Sequence, residues 1–139
     1  MFLFENESIG IYLSSENPCI VWMAKGFILG ADFREGEEVF LTLYRRYRSE
    51  YPHLERLNDL RLMEGGISPE DTDWSAKVIM PQLAALGLSK EAFVMSEDFF
   101  TLLSVENYQE SLSSIKTAFF KSEEEAFAWL SSVDISPTD

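Results

Sequence analysis

Hydrophobic residues recur along this chain with two different periods, and the switches between them mark out its elements. Residues 9–13 and 19–24 are short runs rich in β-branched and aromatic side chains, and Ser14-Ser15-Glu16-Asn17-Pro18 between them is a cluster of turn formers. This pattern spells a β-hairpin. From about residue 32 to residue 50, Phe40, Leu43, Tyr44, Tyr47 and Tyr51 fall at i, i+3, i+4, i+7 and i+11, the spacing of one helix face. Arg45, Arg46, Arg48 and Glu50 take the wet side. Pro52 has no amide proton and restricts the residue before it, so the helix is expected to stop there. Gly26 and Gly30 are assigned to the turn between hairpin and helix, where glycine tolerates unusual backbone angles.

The alternation then repeats. A strand is expected over residues 56–62, followed by a loop through Gly65 and Gly66. Ser68 can cap a helix in which Pro69 takes the first position and Glu70 and Asp71 favour the positive end, with Gly87 as its stop signal. Trp74, Val78, Pro81 and Ala85 share one face of it, and Pro81 is expected to kink it. Residues 92–95 read as a strand, and Ser96-Glu97-Asp98 offers caps for a helix carrying Phe99, Leu103 and Leu112. Residues 115–120 form another strand. Ser122 and Glu125 make an S-x-x-E capping box for a last helix presenting Ala126, Trp129, Leu130 and Val133. Alternating strands and helices imply right-handed crossovers, hence an α/β fold: a mostly parallel sheet of about five strands, an antiparallel N-terminal hairpin and about four helices. Residues 1–139 read as a single domain, with 131–139 a frayed tail rich in Ser, Asp and Pro.

Charge changes the picture of partners. Twenty-four acidic residues against 11 Lys and Arg give a formal charge of −13, which opposes contact with nucleic acid or an anionic membrane. One cysteine allows no intrachain disulfide and suits a reducing compartment. No basic segment opens the sequence and no run reaches the roughly 18 apolar residues of a membrane span. The expectation is a cytoplasmic protein without membrane insertion.

Several short motifs carry a resemblance. Trp22-x-x-x-Gly26 after the hairpin, Asp59-Leu60-Arg61 in a strand, Glu70-Asp71-x-x-Trp74 opening a helix that ends at Gly87, and Phe120-x-Ser122-x-Glu124-Glu125-Ala126-x-x-Trp129-Leu130 are similar to the SpoIIAA-like, or STAS-related, small bacterial domains. The resemblance runs from about Ile9 to Leu130 and implies a (β/α) superhelix shared with sigma-factor regulators and with CRAL-TRIO lipid-carrying domains; fold alone does not transfer function. Phosphorylated members carry an Asp-Ser-Ser-Gly type switch after the central strand. Here that region reads Asp59-Leu60-Arg61-Leu62-Met63-Glu64-Gly65-Gly66, with no serine. Ser68 lies nearby, and a capping role explains it more simply than a displaced phosphoacceptor.

Reactive constellations are sparse. His53, the one histidine, follows Pro52 in a loop with no thiol or serine at a triad spacing, and Cys19 lies in an apolar strand without a basic neighbour. Glu70, Asp71 and Asp73, like Glu123 to Glu125, suit helix N-termini and lack the remaining ligands of a calcium loop; one His and one Cys cannot complete a zinc site. Gly26-x-x-x-Gly30 lacks the rest of a phosphate loop. No catalytic residue, metal or cofactor is therefore assigned. The expected function is a non-catalytic regulatory or protein-interaction module, working through a protein partner or by self-association as a homodimer. Trp22, Phe27 and Trp74 are its candidate contacts. The alternative is a carrier or sensor of a small lipophilic ligand. A third reading, an enzyme, would use Asp59, Arg61 and nearby acids at the C-terminal edge of the sheet, and a polar pocket beside Asp59 and Ser68 would favour it together with the carrier.

Overall fold

The computed structural model describes residues 2–15, 18–96 and 115–132. Its sheet has six strands in sequential order: β1 (Phe4–Glu5), β2 (Ile9–Ser14), β3 (Cys19–Gly26), β4 (Glu55–Met63), β5 (Lys90–Val94) and β6 (Lys116–Phe120). The first three pair antiparallel and the last four parallel. The hairpin forms in the expected place, with Ile9 opposite Ala24 and Ser14 opposite Cys19. The two-residue β1, too short to leave a periodic signal, brings the count above the expected five. Gly26 turns the chain out of β3 at a φ of +64°, whereas Gly30 is the first residue of a helix.

That helix, α1 (Gly30–Tyr47), buries Phe33, Gly36, Glu37, Phe40, Leu41 and Tyr44. Leu43, Tyr47 and Tyr51 from the expected stripe only flank the core. Pro52 is not the stop: α1 ends earlier, where Arg48 closes on the Tyr44 carbonyl and the amides of Glu50 and Tyr51 both turn back to that of Tyr47. The Tyr44 hydroxyl donates to the Leu54 carbonyl over 2.9 Å, tying the helix to the entry of β4.

The second helical segment departs from its expected face for a physical reason. It comprises α2 (Pro69–Trp74), a π-helical turn (Ser75–Ile79) and α3 (Met80–Ala85). Pro81 cannot donate to the carbonyl four residues back and its ring crowds that carbonyl. The turn before it widens, and the Met80 amide reaches the Ser75 carbonyl five residues back. The widening rotates everything that follows. Ser75, Ile79, Met80 and Leu83 are buried, while Val78, Pro81 and Ala85, expected on the inner face, are exposed. Ser68 and Gly87 bound the segment as expected. The Ser68 Oγ accepts from the Asp71 amide, and Gly87, at φ +113°, lets its own amide reach Ala84 and that of Leu88 reach Leu83, a Schellman closure.

The two sheet faces are covered differently. Ile9, Ile11, Ile20, Trp22, Leu60 and Phe93 pack beneath α1 and the α2–α3 segment. On the reverse, Cys19, Val21, Leu57, Ala92 and Val94 meet Ala126 and Leu130 of α4 (Glu123–Ser131). Ser122 caps α4 through the Glu125 amide, as the S-x-x-E signal predicts. Lys90 Nζ donates to the carbonyls of Trp129 and Ser132 at its other end. The helix expected around Phe99, Leu103 and Leu112, together with Val133 and the rest of residues 133–139, lies outside the described residues; the first two residues of the expected tail do not fray, since Ser131 closes α4 and Ser132 is bonded to Lys90.

Candidate functional site

Strand alternation places residues 56, 58 and 60 of β4 and 91 and 93 of β5 on the face under α1. Apolar residues fill those positions except at three, Arg56, Asn58 and Glu91, where a buried polar network forms instead. Arg56 and Glu91 are register partners on the parallel pair β4–β5. Arg56 Nη2 donates to Glu37 Oε1 of α1 over 2.5 Å, and its Nε donates to Asn58 Oδ1 over 2.7 Å, with Glu91 Oε2 3.5 Å away. Asn58 Nδ2 donates to Glu91 Oε2 at 2.8 Å. The π turn contributes the last member, because it presents Ser75 inward, where its Oγ donates to Glu37 Oε2 at 2.7 Å. Aromatic rings support the guanidinium, whose Cζ stands 4.1 Å from the Phe40 centroid and 5.5 Å from that of Trp22.

A cavity of about 130 Å³ opens over this network. Glu37, Arg56, Asn58, Ser75 and Glu91 form its polar floor; Trp22, Phe33, Ile67, Met80 and Phe93 are its apolar walls, with half-buried Thr72 and Ala76 beside them. A second cavity of about 160 Å³ shares Leu60, Ile67, Thr72 and Phe93 with the first and continues past Met63, Met95 and Phe119, near the C-terminal ends of the parallel strands. Polar at one end and apolar along the other, the combined hollow has the build of a small-molecule site. Trp22 adds a functional group: its indole Nε1 is buried without a hydrogen-bond partner.

Burial governs the ionisable groups. Glu91 is pushed above the ordinary glutamate range, first by desolvation, against the opposing pull of Arg56 and the Asn58 hydrogen bond. On the other sheet face, burial pushes the Cys19 thiol up to about 12 and the Tyr12 hydroxyl up to about 12. Neither is poised as a nucleophile at neutral pH. Among the described residues no group of three or more His, Cys, Asp and Glu is placed to hold a metal ion.

The sequence-nominated residues fall in separate places. Trp22 alone lines the cavity. Asp59 and Arg61 lie on the α4 side of the sheet, where Arg61 Nε and Nη2 donate to the two Asp59 oxygens at 2.9 and 2.8 Å and Nη2 also reaches Glu123 Oε1 at 2.6 Å. They pin the N-terminus of α4. Ser68 is held as a helix cap, its Oγ also donating to Asp71 Oδ2. Trp74 lies under the Arg34 guanidinium at 4.9 Å, and Arg34 Nε pairs with Asp71 at 2.8 Å, so this group joins α1 to α2. Hydrogen bonds from Arg34 and Ser68 hold the Asp71 carboxyl below the usual aspartate range. Phe27, in the loop after β3, is 73% exposed. A further hollow, at the opposite end of the sheet, is lined by His53, Glu55, Ser89, Lys90 and Ser132. Four of its polar residues are engaged in the fold: Glu55 accepts from the amides of Ser89 and Lys90 and from the Ser89 hydroxyl, and Lys90 closes the end of α4 on Ser132.

Helices on both faces of a sequentially ordered sheet, antiparallel at the hairpin and parallel after it, make up a SpoIIAA-like fold, and that is the fold of this chain. Among solved structures, an uncharacterised protein of the DUF3478 family from Shewanella loihica PV-4, with a SpoIIAA-like fold, aligns with a TM-score of 0.61. The match covers 92% of this chain and 98% of that one, at 17% identity, and so bears on the fold alone. No protein-family model and no curated protein matches the chain. No helix among the described residues is long and apolar enough to cross a membrane.

Proposed function

We propose that this chain is a non-catalytic binding module that holds a small, largely apolar molecule in the hollow beneath α1 and the π turn. The observation that carries the reading is the Glu37–Arg56–Asn58–Glu91–Ser75 network set under aromatic walls and an open cavity. Buried ion pairs seldom increase stability over a well-packed apolar core, so five polar side chains gathered at the floor of a hollow favour a binding role. The π turn supports the same reading, since such turns are frequent at functional sites and this one delivers Ser75 to the floor. Against catalysis stand the raised thiol and phenol, and the one hydroxyl of the network, Ser75, donates to a Glu37 carboxylate already engaged by Arg56.

The test is native mass spectrometry of protein purified from its own cells, with Ala76→Phe as the blocked variant. The parent should retain a small-molecule adduct that the variant loses. A bare mass for the parent, together with no binder in a ligand-observed NMR screen of neutral aromatic fragments, would remove the reading.

One observation favours a protein partner instead: Phe27, Leu29 and Leu62 are 73%, 56% and 60% exposed at the end of β3, in the loop after it and near the end of β4. If these side chains drive self-association, sedimentation should detect a dimer that Phe27→Asp dissociates. A monomeric parent across the micromolar range would count against it.

A further inference from the structure

Resting on the reading of the hollow as a ligand site, we infer that its ligand is a neutral, hydroxylated ring, a phenol or cyclic alcohol, with its hydroxyl at the polar floor. Four features select this chemistry. The first is size: cavities of about 150 Å³ accept a benzene ring, and this one measures about 130 Å³ between Trp22, Phe33, Phe93 and the Met80 thioether. The second is a donor awaiting an acceptor. Trp22 Nε1–H is buried without a partner, a cost that a ligand oxygen would relieve.

The third feature is the pair of acids in the same lining. Glu91 and Glu37 both line the cavity, and either carboxyl can accept the proton of a hydroxyl while the oxygen of that hydroxyl accepts from Trp22. Only a group that donates and accepts at one atom satisfies both sides. The fourth feature excludes anions. Arg56 is committed to Glu37, Asn58 and two aromatic faces, so a ligand carboxylate would meet two glutamates with the floor's cation already engaged. The second cavity, walled by Leu60, Met63, Met95 and Phe119, leaves room for a short apolar substituent on the ring.

The experiment compares three compounds on one methylphenyl frame, p-cresol, toluene and 4-methylbenzoate, titrated into the full chain and followed in proton–nitrogen NMR spectra at the Trp22 indole signal. Trp22→Phe assigns that signal by its loss. p-Cresol should bind saturably and move the Trp22 indole resonance. Toluene should bind roughly tenfold more weakly, the factor that corresponds to one hydrogen bond left unmade. 4-Methylbenzoate should not compete. In Trp22→Phe, followed at the backbone amide signals that p-cresol moves in the parent, the preference for p-cresol over toluene should shrink toward unity; if that variant does not fold, the three-compound comparison on the parent decides. Equal binding of toluene and p-cresol, or tighter binding of the benzoate, overturns the hydroxyl assignment and leaves the ligand site itself standing. Saturable binding by none of the three overturns this inference, while an adduct in native mass spectrometry that Ala76→Phe abolishes would still uphold the site.

Discussion

Glu91 concentrates the physical tension of this structure in one side chain. It is fully enclosed, bonded to Asn58 and 3.5 Å from Arg56 Nε, with Glu37 adding like charge from α1. Desolvation dominates, so its folded pKa lies above its unfolded value of about 4.3. A raised carboxyl contributes stability that is complete below the unfolded pKa and is lost as pH climbs through the folded one. Glu91→Gln keeps the shape and the acceptor for Asn58 while removing the ionisation. The variant is therefore expected to melt higher than the parent at pH 8, with the gap closing toward pH 4. Thermal melts across that range check it. A variant destabilised most at pH 8, with the loss shrinking toward pH 4, would mean that the ionised Glu91 is needed by Arg56.

At the scale of elements, the tightest test lies where α1 meets β2. Gly36 is mid-helix, where alanine would ordinarily add about 1 kcal/mol of stability. A Cβ there would stand 2.9 Å from Ile9 Cγ2 and 3.1 Å from Cγ1, both on a branched side chain fully buried on a central strand. Overpacking of this kind typically costs about 1–3 kcal/mol, which exceeds the helical gain. Gly36→Ala should therefore lower stability in denaturant titrations by about 1 kcal/mol or more, and less so in an Ile9→Ala background. An increase would show that α1 can lift off the sheet without penalty. Several element boundaries were legible from local signals: the turn cluster before Pro18, the Ser68-Pro69 start, the Gly87 stop and the Ser122 cap all depend on residues within a turn or two, whereas the equally local Pro52 did not mark the end of α1. The inner face of the segment from Ser75 onward was not legible, because periodicity counts 3.6 residues per turn and the widened turn over Ser75–Ile79 breaks that count. The site was illegible for a related reason. Glu37, Arg56, Asn58 and Glu91 are types that usually lie at the surface, and only tertiary pairing makes their burial tolerable. A faint signal did exist: Glu37 follows Phe33 by four residues and precedes Phe40 by three, inside the apolar stripe, and Arg56 and Asn58 share one face of their strand.

Over the whole molecule, electrostatics acts differently from inside the core. The chain carries a formal charge of −13 at neutral pH, while exposed ion pairs such as Lys25–Glu5 and Lys77–Asp73 are of the kind that contributes little. Diffuse repulsion among carboxylates therefore outweighs specific surface attraction. Added salt shortens the screening distance from about 30 Å at 0.01 M to about 3 Å at 1 M, which suppresses that long-range repulsion. The enclosed Arg56–Glu37 pair, out of contact with water, is screened far less. The two effects combine in one direction, and the midpoint of thermal unfolding should rise by several degrees between 10 mM and 500 mM sodium chloride. Sodium and potassium chloride should act alike, since the cause is ionic strength. A midpoint that falls with salt would mean that exposed pairs, with Arg34–Asp71 and Arg61–Glu123 the foremost, hold the helices to the sheet more strongly than the excess charge pushes them apart.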